Sequence, residues 1–197
     1  TSLTDVFSLV REFRTKDKLT PIILMGYLNP IEVMGYENFA QQASDAGVDG
    51  TLIVDFPPEE SQEYLSILAA YKINSIFLLS PTTTDERIQF ICDQANGFVY
   101  YVALKGVTGS ADLDTLEVSQ RVIKIKSKTD LPVGVGFGIK DAITAKAIGK
   151  SADAVIVGSA LVNIIAIGVE KKEQNQSIIN NIAKLISEMR KALDTLS

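Results

Sequence analysis

Short apolar runs alternate along the chain with longer segments whose apolar residues recur at helical spacing. Nearly continuous hydrophobicity, without polar alternation, is typical of strands that are buried on both faces of a parallel sheet. Amphipathic helices are predicted between these strands. The pattern predicts six strands, which are Pro21–Tyr27, Gly50–Phe56, Asn74–Ser80, Phe98–Leu104, Pro132–Gly138 and Asp153–Ser159.

Several helix boundaries can also be predicted. The first helix runs roughly from Leu3 to Phe13, and another runs from Pro58, which suits a first helical turn, to Tyr71. Thr83 and Glu86 have the spacing of a capping box at the start of a further helix. The last helix has an apolar face formed by Ile178, Ile182, Leu185 and Met189.

Six strand–helix units follow one another without a linker or a shift in composition, which predicts a single α/β domain over residues 1–197. Two architectures fit this alternation: an open doubly wound sheet and a TIM (β/α)8 barrel. The positions of the glycines help to choose between them.

Glycines end the last two predicted strands, at Gly134, Gly136 and Gly138 and then at Gly158, and each strand runs straight into a helix. Such turns let the backbone approach an anion, and the amides of the next helix attract a phosphate. In phosphate-binding barrels this site follows strands 7 and 8, so the first strand here becomes strand 3. Two units of roughly 30 residues each would then be absent, and six of the eight remain.

A dinucleotide site is a weaker interpretation of the same glycines. Gly134-x-Gly136-x-x-Ile139 lacks the third glycine of the Rossmann fingerprint, and Asp153 precedes its strand instead of ending it. A third glycine turn, from Gly106 to Gly109, favours a phosphate-type ligand.

Composition excludes several function classes. The 19 basic and 24 acidic residues give a net charge of -5 without any basic block, so nucleic-acid binding is not expected. Histidine is absent, which excludes Ser-His-Asp hydrolysis and His-ligated zinc, and no metal site is expected. The single cysteine, Cys92, fits a reducing compartment, and no apolar run is long enough to span a membrane. A cytoplasmic protein is predicted.

Several local strings along the whole chain are specific in combination. They are Pro21-Ile-Ile-Leu-Met-Gly-Tyr-Leu-Asn-Pro30, Ala46-Gly-Val-Asp-Gly50, Val54-Asp-Phe-Pro-Pro-Glu-Glu-Ser61, Tyr100-Tyr101, Lys105-Gly-Val-Thr-Gly109, Val135-Gly-Phe-Gly-Ile139 and Val157-Gly-Ser-Ala160. In this order and at these spacings they resemble one family, the α subunit of tryptophan synthase. The resemblance implies a TIM barrel that cleaves indole-3-glycerol phosphate to indole and glyceraldehyde 3-phosphate.

The resemblance implies the substrate-binding residues position by position. Thr108 matches the threonine of a mobile lid that positions an active-site carboxylate. The phosphate of the substrate would be bound by Gly109, Gly138, Gly158 and Ser159. The indole pocket would be lined by Tyr27, Tyr100 and Phe137.

The resemblance places the family's catalytic glutamate and aspartate in the first two strand–helix units, so no catalytic residue is assigned in this chain. Among the acids that are present, Asp55 is expected to order its loop or face a partner. Glu59 and Glu60 are expected to favour a helix dipole. An exposed edge at the first and last strands is expected to make the isolated chain prone to association.

The family works in an α2β2 complex with a β subunit that holds pyridoxal phosphate, so no cofactor is expected in this chain. Asn29 and the Pro57-Pro58 turn resemble loops on the side that faces that subunit.

Two alternative functions remain open. One is a non-catalytic barrel fragment that binds phosphate. The other is a different barrel enzyme, such as indole-glycerol-phosphate synthase or phosphoribosylanthranilate isomerase. The Lys105–Gly109 and Asp55–Glu60 segments argue against that second alternative.

Overall fold

The structure is a computed structural model that describes residues 2–103, 115–136 and 138–196. In these residues the helices are α1 (Leu3–Arg14), α2 (Leu28–Met34), α3 (Tyr36–Ala46), α4 (Gln62–Ala70), α5 (Asp85–Gln94), α6 (Thr115–Lys126), α7 (Ala142–Gly149), α8 (Ser159–Glu170) and α9 (Asn175–Asp194). The strands are β1 (Ile23–Gly26), β2 (Gly50–Ile53), β3 (Asn74–Ser75), β4 (Phe77–Leu79), β5 (Val99–Val102), β6 (Val133–Gly136) and β7 (Ala154–Ile156).

The strands form two sheets, with the orders β1-β2-β3 and β4-β5-β6-β7. The β1–β2, β2–β3 and β6–β7 pairs are parallel. Parallel neighbours joined by helices are the pattern expected of an α/β protein, so the predicted class is confirmed. Among the described helices, none combines the length and the apolar character needed to cross a membrane.

Contacts group the chain into two compact units. The first contains Thr1–Leu78 and Gln89–Val99, and the second contains Leu79–Ile88 and Tyr100–Ser197. The first unit has an aromatic centre in which the Phe7 and Phe39 ring centroids lie 5.8 Å apart and those of Phe56 and Tyr64 lie 5.6 Å apart. Such tilted rings pack favourably beyond the area that they bury.

The second unit has an aliphatic core between its strands and helices. Gly149 brings α7 close to α9, because a Cβ at this position would lie 3.2 Å from Leu196 Cδ1 and even closer to Leu193. The buried aliphatic residues of this core include Val118, Val122, Ile125, Val133, Val135 and Ile148.

Helix α8 carries several exposed branched residues, which are Val162, Ile165, Ile167 and Val169. The predicted self-association of the isolated chain stays a prediction.

Two carboxylates fasten the amino ends of strands, one in each unit. Asp49, just before β2, accepts hydrogen bonds from Arg14 Nη2 at 2.6 Å and from the Ile22 amide at 2.7 Å. Asp153, just before β7, accepts hydrogen bonds from Lys126 Nζ at 2.7 Å and from the Val133 amide at 2.8 Å. In both cases an acid that precedes one strand binds the amide at the start of its neighbour and a basic side chain from a preceding helix.

Five of the six predicted strands are confirmed with shorter bounds. The remaining prediction, one strand over Asn74–Ser80, is wrong. The segment forms two strands, because Ile76 separates β3 from β4. Ile76 is 2% exposed and its amide donates to the Thr51 carbonyl at 2.9 Å, so the chain remains extended and buried through the break.

Two helix predictions also need correction. The helix predicted from Pro58 to Tyr71 is interrupted, since a short 3-10 helix, Pro58–Glu60, ends at Ser61 and α4 begins at Gln62. The buried Ser61 hydroxyl donates to the Pro58 carbonyl at 3.0 Å and closes that turn. The cap predicted at Thr83 lies one residue later, because Thr84 Oγ1 accepts from the Arg87 amide at 3.4 Å while Thr83 Oγ1 accepts from the Ser80 amide.

Candidate functional site

The carboxyl ends of β6 and β7 bring two glycine turns to the same edge of the second unit. Gly136 is paired with Ile156 in the parallel register of these strands. Gly138 and Gly158 each lie two residues beyond that last pair in the sequence, after the carboxyl ends of neighbouring parallel strands. Ligands of α/β proteins bind at this end of parallel strands.

The two helices that follow these turns differ at their first residues. At α7, Asp141 caps the helix, because its carboxylate accepts from the Thr144 amide at 2.8 Å. The Thr144 hydroxyl also donates to this carboxylate, at 2.9 Å. The two hydrogen bonds, from the backbone and the side chain of Thr144, lower the pKa of Asp141. At α8 the cap residue is Gly158, which has no side chain to offer. The positive end of the α8 dipole is therefore suited to an external anion.

Space around Gly158 also suits a ligand. Apart from its chain neighbours, no heavy atom of the described residues lies within 4 Å of the place where a Cβ would stand on Gly158. Ser159, the first residue of α8, is exposed and provides a hydroxyl donor beside the backbone amides. Gly138 has φ +77°, a left-handed conformation that a side chain would strain.

Tyr100 lies against the backbone of β6 near these turns. It belongs to β5 and to the second unit. A Cβ on Gly136 would clash with the Tyr100 hydroxyl and would lie 2.7 Å from its Cε2 atom. The phenol is half-buried, and burial raises the pKa of Tyr100. It is therefore a neutral hydrogen-bond donor at pH 7.

The first unit holds Tyr27 and Asp55 at the carboxyl ends of β1 and β2. Tyr27 is 64% exposed and precedes α2, whereas Asp55 is exposed after β2. Asp55 Oδ1 accepts a hydrogen bond from the Leu28 amide at 2.8 Å. The expectation that Asp55 orders its loop is confirmed by this contact. Glu60, by contrast, lies in the 3-10 helix Pro58–Glu60 instead of the long helix that was predicted there.

Three predicted site residues, Thr108, Gly109 and Phe137, lie outside the described residues. Of the remaining five, the second unit contains Tyr100, Gly138, Gly158 and Ser159, and the first contains Tyr27.

Sequence reasoning missed the contrast between the two helix starts. Asp141 and Thr144 are three residues apart, which is the spacing of a capping box, so the signal was available in the sequence. The close approach of Tyr100 to Gly136 could not be found in this way, because the two residues are distant in the chain. In the described part of the chain, no group of three or more acidic, cysteine or histidine side chains could hold a metal ion.

Comparisons with known proteins agree on one family. The family model of the tryptophan synthase alpha chain matches residues 1–194. The tryptophan synthase alpha chain of Acinetobacter baumannii is 53% identical over 196 residues, which cover 100% of this chain and 72% of that protein. The alpha chain of Alkalilimnicola ehrlichii is 53% identical over 197 residues, with 100% and 71% covered.

Solved structures give the same result. The crystal structure of the alpha chain from Legionella pneumophila subsp. pneumophila has a TM-score of 0.88 and 43% identity, covering 100% of this chain and 71% of that one. A chain of the tryptophan synthase complex from Pyrococcus furiosus has a TM-score of 0.83 and 33% identity, covering 97% and 74%.

Proposed function

The chain belongs to the family of tryptophan synthase alpha chains, and from that premise we propose how its residues serve the reaction of the family. This family is a lyase that cleaves indole-3-glycerol phosphate in tryptophan biosynthesis.

The described strand–helix units correspond, in this proposal, to strands 3 to 8 of an eightfold barrel, within one phosphate-binding domain over residues 1–197. The two glycine turns support this count, because phosphate sites of such barrels follow strands 7 and 8. The family's general acid and base then belong to the two units that precede strand 3, and no residue of this chain is assigned to them.

Phosphate binding is assigned to Gly109, Gly138, Gly158 and Ser159. The observation that carries this assignment is the difference between the two helix starts: Asp141 caps α7, whereas the α8 cap is a glycine with open space around it. A phosphate that accepts hydrogen bonds from the α8 amides and from Ser159 would satisfy those donors and meet the positive end of the helix dipole.

The indole moiety is assigned to Tyr27, Tyr100 and Phe137, because aromatic side chains provide large apolar contact areas for an aromatic ligand. The Tyr100 hydroxyl is also a neutral donor for the glycerol chain of the substrate. Thr108 is assigned to the lid that positions the catalytic carboxylate, as in the family.

The partner is a tryptophan synthase β subunit, since related structures include a tryptophan synthase a2b2 complex from Pyrococcus furiosus. In this proposal the alpha chain carries no cofactor of its own, and pyridoxal phosphate belongs to the β subunit. A cytoplasmic location stays a prediction of the sequence.

Indole release from indole-3-glycerol phosphate, measured with the chain alone and with a β subunit added, tests this proposal. Release of indole by residues 1–197 would contradict the placement of the acid and base in the units before strand 3, and release that increases with the β subunit would support the partner. Binding of the substrate without release is expected of residues 1–197 by themselves, because they hold the proposed phosphate site and not the acid and base.

A further inference from the structure

Asp55 connects the loops that follow two neighbouring strands of the first unit. The parallel register pairs Gly26 with Ile53, and the Val54 amide donates to the Gly26 carbonyl at 2.9 Å. Asp55 continues this register beyond the sheet, where its carboxylate accepts from the Leu28 amide at 2.8 Å. The backbone ladder between β1 and β2 is therefore extended by one side-chain contact.

This contact caps α2 from outside the helix. The first amides of a helix have no acceptor within the helix and need one elsewhere. Tyr27 is the residue at the cap position, with φ −108° and ψ 158°, and its side chain makes no capping hydrogen bond. Asp55 supplies the acceptor instead, and its negative charge is favourable at a helix start.

The cap lies next in sequence to the residue that carries the Tyr27 ring. Tyr27 precedes Leu28 directly, so a shift of the Leu28 amide changes the backbone that carries the ring. The Tyr27 side chain is 64% exposed, and packing therefore does little to hold it. In contrast, the backbone of the same segment is tied to β2 through Asp55.

We propose that Asp55 is a positioning residue for the indole moiety of the substrate, acting through the Leu28 amide on Tyr27. The proposal rests on the assignment of Tyr27 to the indole pocket made above. In this role Asp55 transfers no proton, because the Asp55 carboxylate acts only as a hydrogen-bond acceptor for the backbone. An amide oxygen can accept the same hydrogen bond, which separates this role from acid–base chemistry.

The test compares Asp55→Ala, Asp55→Asn and, as a matched control, Asp45→Ala, which removes an exposed carboxylate from α3 in the same unit. Two ligands are titrated by calorimetry into the full chain: an indole alkyl phosphate, which offers an indole ring and a phosphate, and glycerol 3-phosphate, which offers a phosphate without the ring. Hydrogen exchange of the Leu28 amide is measured in each variant.

We expect Asp55→Ala to bind the indole alkyl phosphate about 5- to 10-fold more weakly, a loss in the range of one ordinary intramolecular hydrogen bond. Its affinity for glycerol 3-phosphate should equal that of the unchanged chain, and its Leu28 amide should exchange faster. Asp55→Asn should restore most of the affinity and the slow exchange, and Asp45→Ala should match the unchanged chain on all three measurements.

Three results would overturn the proposal in distinguishable ways. Faster Leu28 exchange with unchanged affinity for the indole ligand would make Asp55 a purely structural cap. If Asp55→Asn and Asp55→Ala lost equal affinity for the indole alkyl phosphate, binding would depend on the charge or the proton of the carboxylate and not on its hydrogen bond to the backbone. Failure of the unchanged chain to bind either phosphate would refute the proposed function itself, and with it the role given to Asp55.

Discussion

At the amino ends of β1 and β6, carboxylates bind neighbouring backbone amides and basic side chains, whereas at the carboxyl ends of β6 and β7 the chain turns through glycines. Asp49 and Asp153 satisfy the donors around them within the protein. The α8 start, by contrast, is capped by Gly158 without a side-chain partner. The donors at these amino ends are thus satisfied within the protein, whereas the first amides of α8 have no side-chain cap from Gly158.

This difference separates stability from binding. A change at an amino end breaks a contact between elements and should lower the free energy of unfolding. The effect of a new side chain at a glycine of the carboxyl end depends on the space around it. Where the space is filled, we expect a loss of stability, and where it is open, we expect a loss of ligand binding. Gly136 faces Tyr100, whereas Gly158 faces open space.

The largest loss of stability is expected from Gly136→Ala. The new Cβ would lie 2.7 Å from Tyr100 Cε2, so the ring or the strand must move. Overpacking of this kind costs about 2 to 3 kcal/mol, which denaturant unfolding would measure. Gly26→Ala is the control, because no heavy atom in the described part of the chain, its neighbours in sequence aside, lies within 4 Å of its Cβ position at the end of β1. Equal stability of the two variants would contradict the packing of Tyr100 over β6.

A smaller loss is expected from Asp49→Ala. It leaves Arg14, whose side chain is 16% exposed, without its carboxylate partner and removes the acceptor of the Ile22 amide. The expected decrease in the free energy of unfolding is about 1 to 2 kcal/mol, reduced by the partial exposure of the Asp49 side chain. Asp49→Asn, which retains an acceptor, should lose less. A loss in Asp45→Ala as large as that in Asp49→Ala would show that the Arg14 contact is not the cause.

The smallest effect is a pH dependence at Asp153. Burial alone would raise the pKa of Asp153, but hydrogen bonds from Lys126 and the Val133 amide outweigh it and lower the pKa below its usual value. Because the folded-state pKa is lowered, the stabilisation is present above the unfolded pKa, about 3.9, and is lost as pH falls through the folded value.

Thermal unfolding of the unchanged chain and of Asp153→Asn measures this effect. The difference should be less than about 1 kcal/mol near pH 6, since the carboxylate is 42% exposed, and it should shrink below about pH 4. A difference that stays constant from pH 6 to pH 3 would argue against ionisation of Asp153 as its source.

Much of the fold could be predicted because the buried strands are marked by local hydrophobicity. Helix boundaries were less predictable: Thr84 and not Thr83 caps α5, since Thr83 accepts from Ser80 instead. The short 3-10 helix before α4 likewise depends on the buried Ser61 turn, which hydrophobic periodicity does not reveal.

The candidate site could be predicted as far as local glycines and helix starts mark it. Gly138 and Gly158 were identified from the ends of their strands, and the register of β6 and β7 supports their proximity. The Arg14–Asp49 contact joins residues 35 positions apart, so no local pattern predicts it. The same applies to Tyr100 over Gly136, where strand pairing decides which side chain meets which backbone.

Calorimetric titration of glycerol 3-phosphate into the unchanged chain, Gly158→Asp and Asp153→Ala tests the division between the two ends most directly. We expect the unchanged chain to bind and Gly158→Asp to lose affinity by at least about 100-fold, since its carboxylate would occupy the helix start and repel the phosphate. Its fold should persist, and Asp153→Ala should bind normally while folded. Unchanged affinity in Gly158→Asp would contradict the account.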